Sequence, residues 1–298
     1  MNSSKFSRIW YGIGILLLLN AATYIGLAQG GGKDYARLHF FDIGQGDSIY
    51  LRTVEGNDVL IDGGPGDAVL SKLGEAMPFF DRTVEFVILT HPHADHVSGL
   101  IEVLQRYKVK NLLFNELAYE SATYRAFLAQ ARLEGANLYS PRLGERVFLD
   151  SVTALDIYHP ISTESIAAGK DVNETSIVAK LSFGSTNVLF TGDAGHEVEE
   201  KLLSWKLPVD AEILKVGHQG SKTSTSEQFL DAVDPAAAVI MVGKNSYGHP
   251  HEEVLGLLNE RVPHLYRTDE NGDIIFAIYP DHASRCMDRS CKKQENMK

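Results

Sequence analysis

Val84-Glu85-Phe86-Val87-Ile88-Leu89-Thr90-His91-Pro92-His93-Ala94-Asp95-His96-Val97 is the stretch that decides how this chain folds. Residues 84–89 form an apolar run of strand length, as expected for a strand buried on both faces. Beyond it, Val97, Leu100, Ile101 and Leu104 recur at helical spacing, which starts a helix near Asp95. Four potential metal ligands, His91, His93, Asp95 and His96, fill the turn between strand and helix. Histidines at its first and third positions can project onto one ion from an extended turn, and Asp95 and His96 in the first helical turn can face a second. Pro92 fixes the backbone between the first two and lowers the entropy lost on binding. A loop of surface histidines with Asp95 capping the helix is the bland alternative. Imidazoles and carboxylates at this density are instead the expected signature of a metal site.

On either side of this turn, short β-rich runs alternate with helical patterns. Strands are expected at residues 38–43, 48–53 and 59–61, then at 152–158, 177–183, 187–191, 213–216, 238–242 and 274–279. Helices are expected near 124–133, 197–204, 226–233 and 252–259. Strands followed by helices, twice over, imply an α/β protein of two similar halves meeting near residues 160–175, with helices covering two packed sheets.

The 298 residues are 44% hydrophobic and 22% charged, ordinary values for a globular chain. The net charge of −11 argues against charge-driven wrapping of nucleic acid, which needs many phosphate-neutralising Lys and Arg. An enzyme gripping a few phosphates through bound cations stays allowed. At the N-terminus, Lys5 and Arg8 precede an uncharged stretch from Ile9 to Ala28. It reads as a secretory signal, with Gly26 and Ala28 at the cleavage positions, or as an uncleaved membrane anchor. Residues 1–28 are thus signal or anchor, 29–36 a linker containing Gly30, Gly31 and Gly32, 37–280 the folded domain, and 281–298 a polar tail. Either reading of the leader puts the domain outside the cytoplasm, secreted or held at the membrane. Cys286 and Cys291, both in the tail, are read equally as a small disulfide loop or as two exposed thiols.

From the histidine turn outward, the chain resembles the metallo-β-lactamase-fold hydrolases, whose signature is His-x-His-x-Asp-His. It is more closely similar to the extracytoplasmic hydrolase domain of ComEC-type competence proteins. That similarity rests on Phe41-Asp42-Ile43-Gly44-Gln45-Gly46-Asp47-Ser48, Leu60-Ile61-Asp62-Gly63-Gly64, Asn173-Glu174-Thr175-Ser176, Thr191-Gly192-Asp193, Lys215-Val216-Gly217-His218-Gln219-Gly220-Ser221-Lys222 and Tyr247-Gly248-His249-Pro250-His251. These landmarks run in the family's order over roughly residues 37–280. The resemblance implies a four-layer αββα sandwich and two divalent metal ions, zinc or manganese, with no nucleotide cofactor.

By the same resemblance, His91 and His93 hold the first ion, Asp95, His96 and His218 the second, and Asp193 bridges them. The lesser alternative for Asp193 is the cap of the helix that follows. Asp62 is implied to orient a ligating histidine, although Asp-Gly is also ordinary turn chemistry. Asp42 and Asn173 are implied to support the ligands from behind. Asp95 and His249 are the candidate catalytic residues, His249 at the scissile phosphate or the leaving oxygen. Ser221, Lys222 and His249 are the candidates for gripping the substrate, at a helix N-terminus suited to anions. His251 reads as the exposed start of the last helix. His159, the one histidine between the turn and Asp193, reads as a structural strand-end residue. Gln219 stands where relatives often carry a second histidine.

The implied activity is a phosphodiesterase or nuclease that uses a metal-activated hydroxide on a single strand, a short oligonucleotide or another phosphodiester. A β-lactam or lactone hydrolase on the same scaffold is the nearer rival. A non-catalytic module binding nucleic acid or a partner protein is the farther one. The chain has no multi-helix channel, so it is not itself a DNA conduit.

Overall fold

The computed structural model describes residues 10–20, 34–160 and 171–297. It consists of two units, Met1–Lys33 and Asp34–Lys298. In the first, residues 10–20 form a helix (α1) whose large apolar side chains are exposed. Among the described residues no helix is long and apolar enough to cross a membrane. The rest of the expected leader, and the glycines at 30–32, lie outside the described residues.

The second unit is built on two sheets. β1 (Ala36–Phe40), β2 (Ile49–Arg52), β3 (Asp58–Ile61), β4 (Thr83–Ile88), β5 (Lys108–Leu113) and β6 (Asn137–Tyr139) lie side by side in chain order. The chain then moves to a seven-stranded sheet of β7 (Arg146–Phe148), β8 (Thr153–His159), β9 (Val178–Phe183), β10 (Thr186–Phe190), β11 (Ile213–Lys215), β12 (Ala237–Ile240) and β13 (His264–Arg267). It returns through β14 (Ile274–Ile278), β15 (Ala283–Cys286) and β16 (Gln294–Asn296), which bring the first sheet to nine strands. β14 closes antiparallel on β1, with Phe40 opposite Ile274.

Three apolar cores give four layers. Leu38, Val59, Ile88, Leu181, Val188, Ile213 and Phe276 pack between the sheets. Alternate residues of the same strands, Leu60, Val87 and Leu112, face out and meet Val69 and Leu73 of α2 (Ala68–Ala76), Leu100 of α3 (Ala94–Arg106) and Phe127 of α4 (Ala122–Glu134). Leu189, Leu214 and Ala238 likewise meet Leu202 of α5 (His196–Ser204), Phe229 of α6 (Glu227–Val233) and Leu258 of α7 (Glu252–Arg261). With successive side chains pointing to opposite faces, a strand covered on both must be apolar throughout. β4 follows this only in part: Val84, Val87 and Ile88 are buried, while Glu85 and Phe86 are half-buried.

Two expectations are corrected. The polar tail is part of the domain: β15 pairs with β14, β16 pairs with β15, and Met297 is buried between the sheets. Cys286 and Cys291 are joined by a disulfide and both are buried. The two halves are also not consecutive, because β14–β16 belong to the sheet begun at residue 36. Strands β5, β6, β7 and β13, and helix α2, add to the elements expected. β5 alternates buried Val109 with exposed Lys108 and Lys110, too short a pattern to announce itself.

The helix that carries the histidine turn is docked backbone to backbone. Gly63 N donates to His96 O at 2.7 Å, and Gly99 N donates to Gly64 O at 3.0 Å. A Cβ on Gly99 would lie 2.0 Å from Gly63 O. Gly99→Ala is therefore expected to push α3 off the loop after β3 and to cost about 1–3 kcal/mol. Urea unfolding of the two proteins measures it, and an unchanged midpoint would refute the close docking.

Candidate functional site

β3 and β4 are parallel, with Ile61 beside Ile88, so their C-terminal ends deliver Asp62 and Thr90 next to each other. Asp62 takes φ 58°, a left-handed conformation that aspartate tolerates better than most residues. Its Oδ1 accepts from Thr90 N at 2.8 Å, and its Oδ2 accepts from the Thr90 hydroxyl at 2.6 Å and from His96 Nδ1 at 2.9 Å. With its proton given to Asp62, the Thr90 oxygen is left to accept from His91 Nδ1, 3.1 Å away. One buried carboxylate thus sets the tautomer of both histidines, His96 directly and His91 through Thr90, leaving each Nε2 lone pair for another partner.

Those lone pairs converge. The ligand atoms of His91, His96 and Asp193 all lie within 4.8 Å of one another. Asp193 Oδ2 is 3.3 Å from His96 Nε2, 3.9 Å from His91 Nε2 and 3.9 Å from His218 Nε2. His93 Nδ1 sits 3.1 Å from His91 Nε2, and Asp95 Oδ2 sits 3.8 Å from His96 Nε2. Asp193 follows β10 and His218 follows β11, so the second sheet presents its strand ends to the turn of the first. His218 and Gln219 both adopt left-handed backbone, with φ 43° and 54°, which turns the chain into the site. All six expected ligands are brought together.

Behind them lies a buried lysine not singled out in the sequence. Lys215, at the end of β11, pairs with Asp47, lies 3.6 Å from Asp193 Oδ1 and donates to Gly192 O at 2.7 Å. Burial disfavours its charge, but Asp47 and Asp193 outweigh burial and raise it above the usual lysine range. A charged residue inside the apolar run Ile213-Leu214-Lys215-Val216 was the available signal. Gln219 is also given a place: its Nε2 donates to Asp95 Oδ2 at 3.0 Å and to Asp193 Oδ2 at 3.4 Å, while its Oε1 accepts from Gln45.

Some candidates move. Asp42 Oδ1 accepts from Gly44 N at 3.4 Å, a bond within its own turn. Asp47, five residues on, approaches His96 Nδ1 at 3.9 Å instead, because the turn through Gly44 and Gly46 carries the later carboxylate inward. Ser221 is buried, its Oγ 3.0 Å from Thr223 Oγ1, and neither it nor Lys222 lines the cleft. Lys244 does. Asn173 stays in place, its amide 3.4 Å from His218 Nε2. His159 donates from Nδ1 to Ser176 O at 2.8 Å, a structural bond. His251 accepts from Glu253 N at the start of α7. The cleft, about 1040 Å³, is lined by His93, Asp95, Asp193, His218, Lys244 and His249 among others. Burial and the neighbouring His218 hold His249 below the ordinary histidine range, so its imidazole is neutral near pH 7.

Asp47, Asp62, Asp95 and Asp193 surround the cluster, with Lys215 the cation set among them. In that field His96 is raised well above its usual range, the carboxylates of Asp193 and Asp62 overcoming the burial that opposes its charge. Buried His96 Nε2, Asp193 Oδ1, Asp47 Oδ1 and Asn173 Oδ1 have no hydrogen-bond partner. Buried polar atoms are rarely left so. Unpartnered nitrogen and oxygen atoms in an anionic pocket fit divalent cations.

Comparison with known proteins agrees with this geometry. The family model described as the Metallo-beta-lactamase superfamily matches residues 41–244. ComE operon protein 3 of Bacillus subtilis (strain 168) is 31% identical over 268 residues, covering 81% of this chain and 34% of that protein. Recombination protein 2 of Haemophilus influenzae is 27% identical over 249 residues, covering 80% and 28%. The chain therefore spans about a third or less of these relatives. Among solved structures, the metallo-beta-lactamase fold protein YhfI of Bacillus subtilis superposes with a TM-score of 0.55 at 12% identity, covering 81% of this chain and 99% of that one.

Replacing Asp62 by Asn should lower zinc and manganese affinity about 10–100-fold, because the amide no longer orders both histidines. Isothermal titration of folded protein reads this, and wild-type affinity in the variant would break the relay. Lys215→Met strands buried carboxylates and should cost about 3–5 kcal/mol, most of it regained in the double variant with Asp47→Leu. Urea unfolding of the three proteins checks the pair.

Proposed function

We propose that this chain, which belongs to the metallo-beta-lactamase superfamily, is a metal-dependent phosphodiesterase acting on nucleic acid outside the cytoplasmic membrane. The observation that carries the reading is the buried set of His91, His96 and Asp193, ordered by Asp62 and opening onto a cleft lined by Lys244 and His249. The similarity to a recombination protein and to a competence-related operon product supports a nucleic acid as substrate. The apolar stretch behind Lys5 and Arg8 supports export, whether the domain is secreted or anchored.

His91 and His93 would hold one cation and His96, Asp95 and His218 a second, with Asp193 placed to serve both. A divalent cation such as zinc or manganese held there would supply Lewis acidity, to acidify water and to offset charge on phosphoryl oxygens. Gln219 keeps the carboxylates of Asp95 and Asp193 turned to the same point. Lys215, charged and buried, offsets part of the repulsion that four carboxylates would otherwise exert on an incoming phosphate. His249 donates a hydrogen bond to the leaving oxygen or to a phosphoryl oxygen. Neighbouring hydroxyls are committed elsewhere, Ser224 Oγ to Gly217 O and Ser221 Oγ to Thr223, which supports a solvent nucleophile. The acidic surface favours a small footprint, a single strand or a short oligonucleotide.

Purified protein with added manganese or zinc should cut single-stranded DNA and bis-p-nitrophenyl phosphate in preference to β-lactams and lactones. Chelation should stop it and metal should restore it. Asp193→Asn should leave only background turnover, and His249→Ala should lower kcat about 100-fold or more. Faster turnover of β-lactams or lactones would reject the phosphodiesterase assignment.

A further inference from the structure

The exposed aromatic ring beside the metal cluster carries one inference further, and it rests on the phosphodiesterase reading above. We infer that Tyr247 is the stacking surface of a nucleobase subsite, so that the cleft holds an unpaired base next to the phosphodiester to be cut.

Tyr247 is 75% exposed and lines the same cleft as the metal cluster. A ring presented to water at the mouth of a cleft is held there by its backbone. Asn245 Oδ1 accepts from the N–H groups of Tyr247 at 3.0 Å, Gly248 at 3.1 Å and His249 at 3.1 Å. Asn245 Nδ2 donates to Gly243 O at 2.9 Å and to His249 O at 2.7 Å. One side chain therefore ties the segment 243–249 into a single shape, and little ordering is left to be done when a ligand arrives.

The ring is also at the right place. Its centroid is 5.9 Å from that of His249, which is 5.2 Å from that of His218, whose Nε2 is 3.9 Å from Asp193 Oδ2. A second ring, Tyr119, lines the cleft 6.0 Å from His93. Lys244, exposed on the same tied segment, has no ion-pair partner among the described residues and suits a backbone phosphate. Flat aromatic surface, cation and phosphate-cutting centre in one cleft match a strand whose bases are free to stack, which paired bases in a duplex are not.

Two decamers test this, one of thymidylate and one with abasic tetrahydrofuran units on the same phosphate backbone. With manganese added, the protein should cut thymidylate with kcat/KM about tenfold above the abasic strand. Tyr247→Ala should shrink that preference to within about twofold, and Tyr247→Phe should retain it. A wild-type protein that cuts both decamers equally overturns the subsite, as does Tyr247→Ala with its preference intact. Cleavage of bis-p-nitrophenyl phosphate but of neither decamer also overturns it. Cleavage of none of the three overturns the phosphodiesterase reading itself.

Discussion

The carboxylate of Asp62 is the hinge on which the site turns. It accepts from the Thr90 amide, the Thr90 hydroxyl and His96, and so ties the end of β3 to the end of β4 and the start of α3. Parallel pairing of β3 and β4 makes this possible, since parallel neighbours end at the same edge. β10 and β11 are also parallel and deliver Asp193 and His218 to that edge from the other sheet. Sites at the carboxyl ends of parallel strands are the general rule in open α/β sheets. Here two sheets contribute, and the metal cluster lies where their ends meet.

Burial makes this arrangement costly without cations. Carboxylates removed from water lose several kcal/mol each unless paired. Lys215 answers part of that cost permanently, and the high proton affinity of His96 answers more of it in the metal-free site. Divalent cations would answer the remainder, which couples metal binding to stability in the same way that any ligand specific for the folded state does. The fold and the chemistry are therefore not separable at this point: the candidate metal-binding residues are those the domain can least leave uncompensated.

On the proposed function, an acidic chain would have to attract a polyanion locally. The net charge of −11 repels at long range, so the attraction is confined to the cleft, through the cluster and Lys244. A rigid segment displaying an aromatic ring adds contact that salt does not screen. Selection for unpaired bases, as inferred above, would then follow from geometry and not from overall charge.

The sequence alone determined whatever depends on neighbours in the chain. The strand-to-helix histidine turn, the strand that leads into it, the strand-end position of Asp62 and the capping place of His251 are all local patterns, readable from periodicity and spacing. Its likeness to known hydrolases brought the distant ligands Asp193 and His218 into the same reading. Tertiary structure decided what depends on residues far apart. Which aspartate of the segment 41–48 turns inward, Asp47 and not Asp42, follows from a loop closing on β11 and α3. That Lys244 and Tyr247 line the cleft, and not Ser221 and Lys222, follows from how the chain folds around it. β15 and β16 were invisible as strands because they are held by their neighbours' backbones, and a polar sequence does not reveal a neighbour. Lys215 belongs to the same class: a lysine in an apolar run reads as a misfit until the carboxylates that hold it arrive from elsewhere in the fold.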